Sequence, residues 1–412
     1  MRLLAYTSPA RGHLYPCVPI LQELQRRGHA VAVVTLVDEL EAVAALGIAA
    51  EPISAKVEAI ELQDWRGRSQ ADRGRRALRT FAARAKYETT DLKDAIERHR
   101  PDALLVDVNC WGAATVAEAS GLPWAMFSPY LLMARSREAP PFGLGLAPMK
   151  GPLGRARDTL LGGLRETAVD RTVLPVVNRL RAEHRLPPLR RFGELAERPR
   201  QMLAMTAEGF EYPRSGWAAN VRFVGPLDWS PPQPRPEWLA DLADPLALVT
   251  CSTEHQRDRA LLATALHALP AAGIGVLGTS AAHDPSAFDV PSGSRVARFL
   301  SHDAVLDRAA CVVCHGGMGI TQKALAAGVP VVVVPFGRDQ LDTARRVEWA
   351  KAGVRLPAGK LTAPRLAAAV RQALDLRDGA QRVAELFARA GGASAASDCL
   401  ETMAGTRSAA LA

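Results

Sequence analysis

The densest set of chemistry-bearing residues runs from Cys314 to Gln340, CHGGMGITQKALAAGVPVVVVPFGRDQ. The β-branched Val312 and Val313 lead into His315-Gly316-Gly317-Met318-Gly319. Gly317 and Gly319 let backbone N–H groups come close to a ligand, and a positive φ costs glycine little. A helix is predicted to start near Ile320 or Thr321, where its unpaired N–H groups and positive dipole end form an anion site. Gly328 and Pro330 stop that helix, as glycine and proline do at a C-terminus. Residues 331–334 are all valine and read as a strand buried on both faces. Phe336-Gly337-Arg338-Asp339-Gln340 follows at the strand's carboxyl end, where open α/β sheets bind ligands. The order sets a phosphate cradle beside an acid–amide pair able to bind hydroxyl groups.

A second candidate lies near the amino terminus. Arg11-Gly12-His13-Leu14-Tyr15-Pro16 follows an apolar strand at 3–7, so His13 falls in the first βα turn, which faces the ligand crevice of a doubly wound sheet. An imidazole titrates near neutral pH and can act there as a general base; a histidine making a purely structural bond at a helix start is the alternative. Asp107 ends another apolar strand, Leu104-Leu105-Val106, at the same carboxyl edge, with a cap or turn as its plainer role. Asn109 receives no assignment. Further on, Leu248-Val249-Thr250-Cys251 runs into Ser252 and Thr253, hydroxyls able to donate to an anion or to close a polar turn. Cys311-Val312-Val313-Cys314-His315 has the spacing of a c-type haem attachment. It lies in a core strand, however, an export signal is not expected at the start of the chain, and the glycines after His315 account for that histidine differently. A second Cys/His pair at zinc-ligand spacing is missing, so neither a metal nor another cofactor is expected.

These residues need a frame. The first half alternates strands at 3–7, 30–36, 104–108 and 124–127 with helices at 15–27, 39–46 and 113–120. This βαβ succession predicts an α/β fold with a parallel, doubly wound sheet and right-handed crossovers. Residues 54–100 and 131–200 are Arg-rich and only loosely periodic. Pro231, Pro232, Pro234 and Pro236 mark a semi-rigid extended linker. The pattern then restarts, with strands at 246–250, 273–277 and 296–299 and helices at 260–269, 303–309, 362–376, 379–390 and 396–403. A chain of 412 residues calls for two domains. The expected division is 1–226, a linker at 227–240, 241–385, and a closing segment at 386–412.

Composition narrows the partners. The net charge of +8 reads as arginine spread over helices, although Arg73, Arg75, Arg76, Arg79 and Arg84 cluster. Aromatics at 5% supply few stacking platforms, so nucleic acid is not an expected partner. No apolar run reaches transmembrane length, and a cytoplasmic location without a membrane span is expected. The six cysteines fall mostly in apolar segments and are expected to be buried thiols.

The 315–340 motif resembles the donor-binding motif of the family 1 glycosyltransferases, nucleotide-sugar-dependent enzymes of the GT-B fold, in which two facing Rossmann-like domains enclose an interdomain cleft. Plant members read roughly His-Cys-Gly-Trp-Asn-Ser-Thr-x-Glu, then Asp-Gln. His315, Gly317, Thr321, Asp339 and Gln340 match, whereas Met318, Gly319, Ile320 and Lys323 depart. The His-Gly-Gly-Met-Gly form is closer to the bacterial branch that glycosylates macrolides and other secondary metabolites. The resemblance implies an acceptor-binding first domain, a nucleotide-sugar-binding second domain, and a final helix crossing back onto the first. It makes His13 the base, in a matching Gly12-His13-x-x-Pro16 pattern, and Asp107 the carboxylate that orients it. It gives the diphosphate to Ser252, Thr253, His315 and the N–H groups of Gly319, Ile320 and Thr321, with Gly317 and Met318 in the turn. Phe299 would pack on the nucleobase, core packing being its alternative, while the Leu300 backbone reads the base edge. Asp339 and Gln340 would bind sugar hydroxyls. Lys323 stands where a glutamate would hold the ribose hydroxyls. An ammonium only donates, which favours a deoxyribose donor such as a dTDP-sugar over a UDP-sugar; a lysine near the phosphates or facing solvent would carry no such preference.

The function expected is inverting, metal-independent transfer of a sugar from a nucleoside-diphosphate sugar to a hydroxyl of a hydrophobic small molecule such as a polyketide or macrolide. A nucleotide-sugar 2-epimerase on the same fold would need further acid/base carboxylates at the sugar. A catalytically silent accessory protein would not need His13, Asp107, His315 and Asp339. The sugar, the acceptor and the oligomeric state, a homodimer included, are left open.

Overall fold

Strands made of consecutive apolar residues have no polar face to give to water and must be covered on both sides. The chain does this twice in its computed structural model, which describes residues 1–254 and 256–405. The first sheet contains β1 (Arg2–Tyr6), β2 (Ala30–Thr35), β3 (Ala49–Pro52), β4 (Ala103–Asp107), β5 (Trp124–Ser128), β6 (Gln201–Ala204) and β7 (Val221–Phe223). The second contains β8 (Leu246–Thr250), β9 (Gly275–Thr279), β10 (Arg295–Ala297), β11 (Ala309–Cys314), β12 (Val331–Val333) and β13 (Gly353–Arg355). All pairings are parallel, in the orders β3-β2-β1-β4-β5-β6-β7 and β10-β9-β8-β11-β12-β13. These are two Rossmann-like, doubly wound α/β units.

Alternation along each strand divides the core into layers. Leu4, Tyr6, Leu104 and Val106 pack against the helices Gln70–His99, Trp111–Ala119 and Gly151–Glu183. Leu3, Ala5, Ala103 and Leu105 pack on the other face with Leu14, Leu21 and Leu24 of the helix Arg11–Arg26. The helix Gly392–Gly405 joins that second layer through Ala396, Leu400 and Met403, so it rests on the first sheet's domain. Residues 406–412 of the expected crossing segment lie outside the described residues.

Two long helices, Gln70–His99 and Gly151–Glu183, occupy the loosely periodic regions. The first meets the rest of the domain through Ala82, Ala85, Leu92 and Ala95, with Leu78, Phe81 and Ile96 packed beside them. It approaches so closely that a Cβ on Gly112 would lie 1.7 Å from the Ala85 carbonyl oxygen. At that crossing the buried Glu88 carboxyl accepts the Gly112 N–H at 2.8 Å, and burial pushes its pKa up to about 8. Other boundaries shift for local reasons. Gly273 takes a left-handed φ of 76° to end the preceding turn, so β9 begins at Gly275 rather than at 273. The first helix begins at Arg11 rather than near 15, which places His13 in its first turn.

Candidate active site

Each sheet reverses its order once, at β1/β4 and at β8/β11. Connections leave such a strand pair in opposite directions and open a crevice at the carboxyl edge. His13 and Asp107 stand at the first reversal, Ser252 and His315 at the second. One cavity of about 1460 Å³ joins the two, lined by His13, Phe299, His315, Gly319, Asp339 and other residues of both halves.

His13 Nδ1 lies 2.6 Å from Asp107 Oδ2, and Asp107 is fully buried with Oδ1 accepting the Asn109 N–H at 2.8 Å. A carboxylate only accepts, so Nδ1 carries the hydrogen and Nε2 presents its lone pair. Burial pulls the imidazole towards its neutral form. The Asp107 charge and hydrogen bond pull the other way, with Asp339 and Glu254 adding to them, and the balance lies above the ordinary value. The result is a histidine of fixed tautomer and orientation facing a cavity, the arrangement a general base requires.

The opposite wall is the start of the helix Met318–Ala326. It begins earlier than predicted because Gly317, at φ −60° and ψ 139°, is its N-cap. Thr321 N–H consequently bonds the Gly317 carbonyl at 3.1 Å, and its buried hydroxyl lies 3.6 Å from Cys314 Sγ. Thr321 therefore leaves the anion site. The amides that lack intrahelical partners are those of Met318, Gly319 and Ile320. The left-handed glycine is Gly316, at φ 94°, rather than Gly317 or Gly319. Gly317 is required for another reason: a Cβ there would lie 2.5 Å from His315 Nε2. A Cβ on Gly319 would meet nothing within 4 Å, so the helix start opens directly onto the cavity. Burial pushes the His315 pKa down to about 4, against a backbone hydrogen bond to Thr250 that favours the charged ring.

The remaining expected residues divide by how far their polar groups are already used. Phe299 is 48% exposed at the cavity rather than packed in the core, with the Arg11 guanidinium 5.6 Å above its ring and Leu300 beside it. Asp339 lines the cavity just before the helix Gln340–Trp349. The buried Gln340 accepts from Phe336 N–H at 2.8 Å and Gly337 N–H at 3.0 Å and donates to Gln256 at 2.6 Å, which leaves one amide hydrogen for a ligand. Ser252 is similarly committed: its N–H donates to Asp258 Oδ2 at 2.6 Å and its hydroxyl accepts from Gln256 at 3.0 Å. Thr253 is exposed at the cavity edge. Cys251, Asp258 and His283 place ligand atoms within 4.8 Å of one another. Both Asp258 oxygens are already engaged, by Ser252 N–H and by His283 Nε2 at 2.8 Å, so the trio braces the loop.

The family described as "Erythromycin biosynthesis protein CIII-like, C-terminal domain" matches residues 266–400. The 4'-demethylrebeccamycin synthase of Lentzea aerocolonigenes is 33% identical over 398 residues, 91% of this chain and 92% of that protein. The chain belongs to the family 1 glycosyltransferases, in the bacterial secondary-metabolite branch. Its two Rossmann-like domains form the GT-B fold, shared with the glycosyltransferase of kitacinnamycin at a TM-score of 0.76, with 22% identity and 98% of each chain covered. The glycosyltransferase VinC, solved in complex with dTDP, shares it at 0.74, with 22% identity over 98% of this chain and 100% of that one.

In this glycosyltransferase Lys323 does not face solvent. Its ammonium is nearly buried, pairs with Asp228 and with Asp303 at 3.0 Å, and lies 3.3 Å from Ser230 Oγ. Two of its three partners, Asp228 and Ser230, belong to the proline-rich segment and line the cavity. Three further residues carry no signal that composition or spacing revealed. Asn109 and Tyr130 adjoin His13, with Asn109 Nδ2 3.3 Å from Nε2 and the Tyr130 hydroxyl 2.7 Å from Asn109 Oδ1. Asp64, in a stretch without periodicity, grips Arg338 across the cavity. Only the position of Asn109, two residues beyond a strand-end aspartate, could have drawn notice.

Proposed function

We propose that this glycosyltransferase moves a sugar, with inversion at the anomeric carbon and without a metal ion, from a nucleoside-diphosphate sugar to a hydroxyl of a hydrophobic small molecule. One observation carries the reading. His13, with Nδ1 held by Asp107, and the open helix start at Met318–Ile320 face the same cavity from different sheets. The base of the donor would lie against Phe299 and Leu300, its diphosphate at His315 and the amides of residues 318–320, and its sugar at Asp339 and Gln340. A helix N-terminus is a ready anion site, and His315 lines the cavity beside it. The acceptor side is lined by Leu78, Phe81, Trp111, Phe142, Leu161 and Leu164, a surface suited to a polyketide- or macrolide-like molecule. The dTDP bound to VinC and the rebeccamycin-directed relative support a dTDP-sugar donor and a natural-product acceptor.

In the transfer step the acceptor hydroxyl gives its proton to His13 Nε2 as its oxygen bonds the anomeric carbon. The bond from that carbon to the diphosphate oxygen breaks, and its electron pair leaves with the diphosphate. Attack opposite the leaving group inverts the configuration. Asp107 stabilises the imidazolium that forms, and the helix amides and dipole meet the charge growing on the diphosphate. That stabilisation comes from the chain itself, which is the basis for proposing metal independence.

The test is a transfer assay with dTDP- and UDP-sugars of known anomeric configuration, run with a chelator, the product being read by NMR. Inversion and insensitivity to the chelator are expected. A retained configuration would overturn the single displacement, and activity lost to the chelator and restored by magnesium would overturn metal independence.

A further inference from the structure

Asn109 and Tyr130 form a hydrogen-bonded chain with the His13–Asp107 pair. Tyr130 O–H donates to Asn109 Oδ1 at 2.7 Å, Asn109 Nδ2 lies 3.3 Å from His13 Nε2, and His13 Nδ1 donates to Asp107 at 2.6 Å. The directions are set from the carboxylate end. Asp107 can only accept, so a neutral His13 has its hydrogen on Nδ1 and a bare Nε2; the amide must then present its NH₂ to the ring and its oxygen to the phenol. Asn109 is 7% exposed and is tied a second time, by its backbone N–H to Asp107 Oδ1 at 2.8 Å. Burial holds the Tyr130 phenol well above its ordinary pKa, so it remains a donor. Both residues line the cavity beside His13, and the Tyr130 ring stands edge-on to the imidazole at 5.9 Å.

We propose that Asn109, aligned by Tyr130, is a positioning residue that caps the lone pair of His13 Nε2 until the acceptor hydroxyl takes its place. The inference rests on His13 being the base. The surroundings push the ring towards the imidazolium, which cannot accept a proton. The charged groups facing the ring are Asp107 at the end of β4, Asp339 ahead of the helix Gln340–Trp349, and Glu254 in the loop after β8, all carboxyl groups. Among the described residues Tyr130 is a further titratable neighbour, its ring edge-on to the imidazole. An amide N–H pointing at Nε2 bonds the neutral ring and opposes the protonated one. It therefore keeps the ring ready to accept the acceptor's proton, and it leaves when the hydroxyl arrives to make the same bond.

The experiment is an NMR titration of the His13 Cε1–H signal, assigned by its loss in His13→Ala, in the wild-type full chain, Asn109→Ala and Tyr130→Phe. Thermal melting checks that each is folded. Removing a bond made only by the neutral ring raises the pKa, here by about half a unit or more in Asn109→Ala, which is the range for one net hydrogen bond. Tyr130→Phe, which keeps the amide but frees it to turn, should give a smaller rise. An unchanged or lowered pKa in folded Asn109→Ala overturns the proposal. Should that variant not fold, an unchanged or lowered pKa in Tyr130→Phe does so. A packing role alone would lower activity without moving the titration. The base assignment fails separately, through turnover of His13→Ala, which the titration does not measure.

Discussion

Asp64 of the first half grips Arg338 of the second with both carboxylate oxygens, at 2.7 and 2.8 Å, one residue before Asp339. The carboxylate is 3% exposed, and Arg338 holds a left-handed φ of 54° that a non-glycine residue seldom adopts. Gln70 and Arg73 reinforce the contact by donating to the carbonyl oxygens of Arg338 and Phe336, at 3.4 and 2.5 Å. A segment of the first half thus holds the loop that ends in the proposed sugar-binding pair.

From this contact we expect Asp64→Asn to separate donor binding from transfer. The substitution keeps shape and loses the charge that Arg338 needs. Breaking a well-buried ion pair costs about 3–5 kcal/mol, and the partial exposure of Arg338 places this one below that range. Affinity for the free nucleoside diphosphate, whose proposed contacts lie at residues 299–320, should stay within about threefold, because 1.4 kcal/mol is needed for each tenfold change. Turnover to the acceptor should fall about tenfold or more, since small misplacements of reacting groups carry penalties of that size. Calorimetry with dTDP beside a transfer assay decides it; equal losses in both would mean that the contact supports the whole donor site.

His13→Ala should lower turnover by about 10²–10⁴-fold with little change in nucleotide binding, the usual contribution of a general base. The sign of the pH dependence follows from the geometry. The base works when neutral, so activity rises with pH through the His13 pKa, which the Asp107 charge holds above the ordinary imidazole range against burial. The same shift stabilises the folded chain below the unfolded pKa, and that contribution is lost as pH rises through the folded one. Melting curves of wild type and His13→Ala should therefore converge with increasing pH. Turnover of the variant near the wild-type rate on a weakly acidic alcohol would remove His13 from the chemistry.

The sheets were legible because continuous apolar strands and glycine- or proline-terminated helices are local signals. Residues 246–250 and the valine run at 331 follow from apolar sequence alone, and the strand-end positions of Asp107 and His315 follow from the alternation, while His13, expected in the first βα turn, lies in the first turn of the helix Arg11–Arg26. The two long helices were not legible. One buries alanines and charged residues such as Arg84 and Glu88, and the other contains Pro175 and exposes Leu153, Leu160 and Leu164. The second shows no apolar stripe; in the first, Leu78, Phe81, Ala85, Leu92 and Ile96 recur at helical spacing, but Arg73, Arg75, Arg76, Arg79 and Arg84 crowd the same stretch. Within the site, Thr321 was misplaced because an extended Gly317 moves the helix start, a backbone detail that glycine does not announce. The partners of Lys323 come from segments 95 and 20 residues away in sequence, Asp228 and Asp303, and no periodicity connects them.

Those partners change what Lys323 is expected to do. An ammonium held between Asp228 and Asp303 cannot accept from ribose hydroxyls, so dTDP should bind at least as tightly as UDP. Restoring a glutamate alone should not reverse this. Lys323→Glu would set a third carboxylate against two others, and Asp228 is already pushed upward by burial, with Lys323 opposing that push. The single variant should lose stability and bind both nucleotides more weakly. The exchange Lys323→Glu with Asp228→Lys keeps an ion pair and moves the carboxylate onto the helix Met318–Ala326. That pair of changes should raise UDP affinity relative to dTDP about tenfold, since a hydrogen bond to a charged group contributes about 1.5–3 kcal/mol. Calorimetric titration of wild type, single and double variants with both nucleotides gives the ratio directly. A double variant that folds, binds both nucleotides and keeps the wild-type ratio would show that the ribose lies elsewhere, and the preference for a deoxyribose donor would lose its physical basis in this residue.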